Sequence, residues 1–154
     1  MTDKNKISLY VDADACPVKD EILKVSYRHH LPVYLVSNQW MRMEAGPLVR
    51  KIVVPDGPDL ADDWIADHIS AYDIAITADI LLAKRCLDSG AIALGPTGKV
   101  FSPDNIGMAV AMRDLNAHLR ETGESRGFNP GFTRTDRSNF LQALEKAIQE
   151  KLKD

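Results

Sequence analysis

The sequence has little of several features that mark particular classes of protein. It has only 2 cysteines, Cys16 and Cys86, which are too few and too far apart for a disulfide framework or a zinc motif. No apolar run approaches the roughly 18 residues of a membrane span. The amino terminus is polar, so no signal peptide is expected. These absences predict a cytoplasmic protein that has no membrane partner.

The remaining composition is that of an ordinary globular protein. The chain is 45% hydrophobic and 27% charged, and 154 residues are enough for one domain with a real core. The formal net charge of −3 gives no overall basic character of the kind that marks many nucleic-acid-binding domains. We therefore expect a single domain over 1–154 and look for its function in local patterns.

Strands and helices are predicted to alternate along the chain. Short apolar runs predict strands at 7–11, 31–36, 51–54, 73–77 and 91–94, with a small edge strand at 99–101. Alternation with helical segments predicts a three-layer, Rossmann-like α/β domain, in which a mainly parallel sheet of about five strands has helices on both faces. The last third predicts a helix at 103–120, an exposed loop at 123–135 and a C-terminal helix at 136–152.

The first predicted strand ends in two aspartates one residue apart, Asp12 and Asp14, and a helix is predicted to open at Pro17. Open α/β sheets bind their ligands at the carboxyl ends of their strands. The two carboxylates therefore indicate a site. The simpler interpretation is that Asp14 caps the helix and Asp12 is a solvated turn residue.

Further aspartates are predicted to converge on the same edge. Asp79 follows the fourth strand, and Asp62 and Asp63 lie in the first turns of a helix predicted at 59–70. Each also has a structural explanation, an N-cap for Asp79 and a solvated acidic face for the helix. Several carboxylates in one crevice cannot all stay ionised without cations, and hard oxygen ligands select Mg²⁺ or Mn²⁺. The pattern predicts a metal site suited to phosphate chemistry.

Four other residues are candidates for binding a phosphate substrate. Ser37 and Asn38 end the second strand at this edge, and Lys19 lies in the first turn of the first helix. Arg137 belongs to a locally basic segment that could follow a nucleic-acid backbone. A strand-terminating turn, a surface lysine and a solvated loop explain the same residues without a substrate.

Several motifs resemble the bacterial YaiI/YqxD-like family, whose function is unknown. The resemblance covers nearly the whole chain and is carried by Val11-Asp12-Ala13-Asp14-Ala15-Cys16-Pro17-Val18-Lys19, Ser37-Asn38, Ala61-Asp62-Asp63, Thr77-Ala78-Asp79 and Thr135-Asp136-Arg137-Ser138-Asn139-Phe140. That family in turn resembles PIN-domain nucleases, in which strand-end acids hold a divalent metal. The likeness implies a PIN-like fold, with Asp12, Asp62 and Asp79 as the principal acids and with Asp14 and Asp63 as auxiliary ones.

Three functions remain open from the sequence. The first is a Mg²⁺- or Mn²⁺-dependent nuclease with Asp12, Asp14 and Asp79 in catalysis, acting on RNA in preference to DNA. The second is a haloacid-dehalogenase-like phosphatase, in which Asp12 is the nucleophile, Asp14 the acid/base and Ser37 the phosphate ligand. The third is an RNA- or protein-binding module without catalysis.

Overall fold

The computed structural model describes residues 7–14, 16–39, 46–57, 59–122 and 132–152. Its strands are β1 (Leu9–Asp12), β2 (Val33–Ser37), β3 (Val49–Val53), β4 (Ile74–Ile76), β5 (Ile92–Leu94) and β6 (Val100–Phe101). They form one six-stranded sheet in the order β3-β2-β1-β4-β5-β6. All neighbouring strands are parallel except β5 and β6, which are antiparallel.

The central strand β1 shows why this sequence forms a buried sheet. Successive side chains of a strand point to opposite faces. Leu9 and Val11 accordingly enter one hydrophobic core, whereas Tyr10 enters the other. Both Leu9 and Val11 have no exposed surface. Apolar residues on both faces are typical of a parallel strand that is covered by helices on each side.

In the part of the chain that the structure describes, five helices cover the sheet. They are α1 (Lys19–His29), α2 (Leu60–His68), α3 (Ile80–Asp88), α4 (Pro103–Thr122) and α5 (Arg134–Leu152). Apolar residues of α1 and α5, such as Ile22 and Phe140, join the core on the Leu9 side. Residues of α2 and α3, such as Ile65 and Leu82, join the core on the Tyr10 side. The helices therefore form the two outer layers of the predicted three-layer fold.

The structure confirms the predicted fold class and changes some of its boundaries. The sheet has six strands rather than about five, because the small edge strand is present as β6. The first helix begins at Lys19 and not at Pro17, which lies in a turn. The last helix begins at Arg134 rather than at residue 136, and Thr133 and Asp136 cap it by reciprocal hydrogen bonds of 3.0 Å.

Two predictions extend beyond what the structure describes. Most of the loop predicted at 123–135 lies outside the described residues, and its last two positions, 134 and 135, belong to α5. A single domain over the whole of 1–154 stays a prediction. Among the described helices, none is long and apolar enough to cross a membrane.

Candidate functional site at the carboxyl edge of the sheet

The candidate site lies where the chain changes direction across the sheet. From β1 the chain continues outwards to β2 and β3, whereas β4, β5 and β6 follow on the other side of β1. The gap between the carboxyl ends of β1 and β4 is therefore a topological switch point, the usual ligand position in open α/β sheets. Val11 pairs with Ile76 in this part of the sheet, so Asp12 and Thr77 leave the two strands side by side.

Asp12 is the innermost carboxylate at this edge. It is half-buried at the end of β1, and its Oδ2 atom accepts a 2.9 Å hydrogen bond from the Thr77 hydroxyl. Burial raises the pKa of Asp12, and the charges of Asp14 and Asp79 raise it further, while the bond from Thr77 opposes the rise. The sequence thus delivers a carboxylate to a position where its charge is poorly solvated.

Asp14 lies on the solvent side of Asp12 and is bound to the end of β2. Its Oδ1 atom accepts a 2.5 Å hydrogen bond from the Ser37 hydroxyl, and its Oδ2 atom accepts one of 3.3 Å from the backbone N–H of Asn38. The structure therefore brings together Asp14, Ser37 and Asn38 as the sequence predicted. In this arrangement the Ser37 hydroxyl and the Asn38 N–H are occupied by the carboxylate.

Asp79 and Asp62 approach the edge from the starts of two helices. Asp79 precedes α3 and caps it, since its Oδ1 atom accepts hydrogen bonds from Leu81 N at 2.9 Å and Leu82 N at 3.2 Å. Asp62 lies in the first turn of α2. Burial and then the charges of Asp79 and Asp12 raise the pKa of Asp62 to about 7. The charges of Asp12 and Asp79 therefore both reach Asp62, and the charge of Asp79 also reaches Asp12.

Asp63 has a different environment from Asp62, although it is the next residue. Its carboxylate forms a 2.8 Å ion pair with Arg85 of α3. Consecutive helical residues point about 100° apart, so Asp62 and Asp63 cannot both face the same group. Asp63 thus joins α2 to α3 in this structure, and its predicted role as a metal ligand requires the release of Arg85.

The structure also shows the positions of the two cationic residues that were predicted to contact the substrate, Lys19 and Arg137. The Lys19 ammonium group donates a 3.2 Å hydrogen bond to the backbone oxygen of Cys16, directly after the Asp12–Asp14 segment. Arg137 forms a 2.9 Å ion pair with Glu21 and stacks 4.9 Å from the centre of the Phe132 ring. Lys19 is therefore beside the site, whereas Arg137 is engaged in joining α5 to α1.

A small cleft opens between the ends of β1 and β4. Its volume is about 70 Å³, and its lining residues are Asp12, Asp14, Cys16, Ile76, Thr77, Ala78 and Pro96. The two carboxylates are the charged groups of this lining, and the rest of it is largely apolar. The cleft therefore suits a small polar group held at the edge of the sheet.

The donor chemistry of the edge suits a hard cation, although the side chains are not assembled around one. Within the described ranges, no group of three or more His, Cys, Asp or Glu side chains is arranged to hold a metal ion. Asp12, Asp62 and Asp79 nevertheless provide only oxygen donors, which Mg²⁺ and Mn²⁺ prefer. A cation would also relieve the repulsion that raises the pKa of Asp62.

Thr77 is a component of the site that sequence reasoning did not select. Its hydroxyl contacts the Asp12 carboxylate and also accepts a 2.9 Å hydrogen bond from the backbone N–H of Asp79. A Thr-x-Asp pattern at the end of a strand was the available signal, because such a hydroxyl can bond to the backbone two residues further on. The partner on β1 depends on strand order, which the pattern alone does not give.

Comparison with known proteins now adds to this geometry. Residues 10–150 match a family that is described as an uncharacterised bacterial family, YaiI/YqxD. The chain belongs to the YaiI/YqxD family. A relative from Parvibaculum lavamentivorans, called a UPF0178 protein, is 58% identical over 141 residues, which are 92% of this chain and 93% of the relative. UPF0178 proteins from Agrobacterium fabrum and Rhizobium meliloti are 58% and 57% identical over 138 residues.

These comparisons confirm the resemblance that the motifs indicated. The two relatives from Agrobacterium fabrum and Rhizobium meliloti are covered over 90% and 94% of their length. No solved structure matches the chain. The names of these relatives describe no activity, and the function of this YaiI/YqxD protein is inferred below from its own site.

Proposed function

We propose that this protein is a Mg²⁺- or Mn²⁺-dependent nuclease that hydrolyses phosphodiester bonds, with RNA as its preferred substrate over DNA. The observation that carries the proposal is the position of Asp12 and Asp79 at the carboxyl edge beside the switch point, with Asp62 near enough for their charges to raise its pKa. Neighbouring carboxylates from three separate elements are stabilised when a proton or a cation compensates for the repulsion between their charges. A divalent cation is the simplest compensation.

In this proposal Asp12, Asp62 and Asp79 hold the metal, with Asp63 as a further acid on the same helix. A divalent metal held there would supply an activated water and would neutralise charge on the phosphate. Asp14 lies beside Asp12 on the same cleft and takes the proton of the attacking water. Asp12 and Asp79 also orient the reacting groups. Asp12, Asp14 and Asp79 therefore form the catalytic set.

The substrate contacts follow from the position of the polar groups around the cleft. Lys19, next to Cys16 at the rim, attracts a backbone phosphate as a point charge. Ser37 and Asn38 hold the Asp14 carboxylate by hydrogen bonds. They therefore act on the substrate indirectly, by positioning Asp14 as the base. Arg137 contributes to binding when a phosphate competes with Glu21 for its guanidinium group. These contacts involve the sugar-phosphate backbone and imply little dependence on base sequence.

One observation favours a nuclease over the phosphatase that the Asp12-x-Asp14 pattern also suggests. A phosphatase of that type would use Ser37 to hold the phosphate of its substrate. The Ser37 hydroxyl instead donates its proton to Asp14, and the neighbouring N–H of Asn38 donates to the same carboxylate. The phosphate position is thus occupied by an anion of the protein itself.

The proposal is tested by cleavage of end-labelled single-stranded RNA and DNA with Mg²⁺, Mn²⁺ or chelator. The wild type is compared with an Asp12→Asn/Asp79→Asn variant and with Asp88→Asn, an exposed aspartate at the end of α3. We expect metal-dependent cleavage by the wild type and Asp88→Asn, with RNA cut faster than DNA, and none by the double variant.

Equal cleavage by all three preparations would identify a contaminating nuclease and leave the proposal without support. If none of them cleaves nucleic acid but the wild type hydrolyses phosphomonoesters and is trapped by beryllium fluoride, the protein is a phosphatase. Nucleic-acid binding that survives both chelator and the double variant, without cleavage, would establish a binding module.

A further inference from the structure

The Thr77 hydroxyl connects two of the proposed metal ligands. Its oxygen donates a 2.9 Å hydrogen bond to Oδ2 of Asp12 and accepts one of 2.9 Å from the backbone N–H of Asp79. Only 2% of Thr77 is exposed, so solvent cannot readily replace either bond. One buried atom thus joins the end of β1 to the start of α3.

The direction of these hydrogen bonds is determined by their chemistry. A backbone N–H can only donate, so the Thr77 oxygen must accept from Asp79, and its single proton remains for Asp12. The backbone N–H of Thr77 donates a 2.9 Å hydrogen bond to Leu94 of β5, which anchors the residue in the sheet. A β-branched side chain also has few rotamers, so the hydroxyl has little freedom to turn away.

We infer that Thr77 is a positioning residue for the divalent cation: it holds Asp12 and Asp79 in a fixed relation at the edge of the sheet. This inference rests on the proposed function, because it concerns the same cation. Thr77 and Asp12 are 65 residues apart in the chain, and among the hydrogen bonds of the described residues it is the Thr77 hydroxyl that links the end of β1 to Asp79. Without it, the Asp12 carboxylate loses the group that orients it, and the backbone of Asp79 loses its connection to the end of β1.

The same chain supplies a matched control at the opposite edge of the sheet. The Ser70 hydroxyl also donates to a carboxylate, Asp73, at 3.0 Å, and also accepts from the backbone N–H two residues ahead, that of Tyr72, at 3.4 Å. Its bonding pattern is the same as that of Thr77. Asp73 precedes β4, however, and is at the amino edge, away from the proposed metal ligands.

The experiment measures Mn²⁺ binding by electron paramagnetic resonance of the free ion, together with the melting temperature of each protein. Thr77→Val keeps the shape of the side chain and removes the hydroxyl, Thr77→Ser restores the hydroxyl, and Ser70→Ala is the control. Loss of a group that orients a metal ligand typically lowers affinity by about 10–100-fold. We expect this loss for Thr77→Val, affinity close to wild type for Thr77→Ser, and unchanged affinity for Ser70→Ala.

Each other outcome has a definite meaning. If Thr77→Val binds Mn²⁺ as the wild type does, or if Ser70→Ala loses as much affinity for the same fall in melting temperature, Thr77 has no positioning role. If the wild type itself binds no Mn²⁺, the proposed function fails, which is a different result from failure of this inference. Thr77→Ala replaces the valine variant if the latter does not fold, and its result is judged by the same criteria.

Discussion

Asp62, in the first turn of α2, is half-buried and lies within reach of the charge of Asp79, which caps α3. Burial, and then the charges of Asp79 and Asp12, raise the pKa of Asp62 to about 7. Below that pH the Asp62 carboxyl group therefore holds a proton that a metal ion could displace.

The raised pKa of Asp62 predicts how stability depends on pH in the absence of metal. Between pH 3.8 and about pH 7 the folded protein keeps a proton on Asp62 that the unfolded chain releases. The stability that this proton gives the folded protein is thus fully present below pH 3.8 and is lost as pH rises through about 7. Asp62→Asn has no charge at this position and so is not repelled by Asp79 and Asp12. At pH 8 it should melt roughly 2–4 °C above the wild type, which corresponds to about 1 kcal/mol in the free energy of unfolding.

The measurement is a thermal melt at pH 4 and pH 8 with chelator present. The gain of Asp62→Asn should shrink at pH 4, where the wild-type side chain is itself protonated in the folded state. Asp67→Asn, on the same helix, is a suitable control because it shares the acidic character of α2. An equal gain at both pH values would show that charge repulsion at the edge is not its cause.

Arg137 is predicted to have a structural role that can be separated from substrate binding. Its guanidinium group pairs with Glu21, whose carboxylate is only 15% exposed and whose second oxygen has no hydrogen-bond partner among the described residues. Removing Arg137 leaves a largely buried charge unpaired, which typically destabilises a protein by about 1–3 kcal/mol. Arg137→Ala should therefore lower the free energy of unfolding in urea by that amount.

A second substitution tests the cause of that loss. Glu21→Gln in the Arg137→Ala background removes the unpaired charge and should recover part of the stability. If Arg137→Ala is as stable as the wild type and yet binds nucleic acid more weakly, the guanidinium group serves the substrate rather than the fold.

Glu145 of α5 pairs with Arg28 and His29 at the end of α1. It should contribute more to the stability of the fold at neutral pH than at acid pH. Hydrogen bonds from Gln149 and His29, together with the contact to Arg28, lower the pKa of Glu145 to about 2. Because the folded pKa is lowered from 4.5, its contribution is present above pH 4.5 and is lost as pH falls towards 2. The side chain is 34% exposed, so we expect Glu145→Gln to cost about 1 kcal/mol at pH 7.

Denaturant unfolding at pH 7 and pH 3 measures this dependence, and Glu150→Gln on the same helix is the control. The loss from Glu145→Gln should be smaller at pH 3 than at pH 7. A loss that does not change with pH would mean that packing, and not charge, is responsible.

Lys19 should contribute one phosphate contact to nucleic-acid binding. It lies at the rim of the carboxylate cleft, bonded to Cys16, whereas Lys24 lies exposed further along the same helix. Lys19→Ala should weaken binding of single-stranded RNA and reduce the slope of log affinity against log salt by about 1. Lys24→Ala should leave both unchanged. Binding can be measured by fluorescence anisotropy with both lysine substitutions made in the cleavage-deficient Asp12→Asn/Asp79→Asn protein. If Lys19→Ala and Lys24→Ala bind RNA equally well, Lys19 does not contact the substrate.

The sequence was sufficient to predict the sheet and the edge of the sheet at which Asp12 and Asp79 lie. Apolar runs ending in Asp12 and near Asp79 predicted strand ends, and parallel strands place such ends on one edge. Helix boundaries were less certain, because Pro17 suits a turn as well as the first position of a helix. The first helix accordingly begins two residues later, at Lys19.

The partners of individual side chains could not be predicted in the same way. Thr77 contacts Asp12 because Ile76 pairs with Val11, and that register depends on the order of the strands. Asp63 pairs with Arg85 and Arg137 with Glu21, and these residues are 22 and 116 positions apart in the chain. Helix packing sets both pairs, and no local pattern encodes it.

The most direct test of the whole account is calorimetric titration of Mg²⁺ into the wild type and into Asp62→Asn at pH 6, below the pKa of Asp62 of about 7, beside Asp88→Asn as a control. The account predicts that the wild type and the control bind Mg²⁺ with release of protons, since the metal displaces the proton of Asp62, and that Asp62→Asn binds far more weakly. Equal Mg²⁺ affinity in all three proteins, or no binding by the wild type, would contradict it.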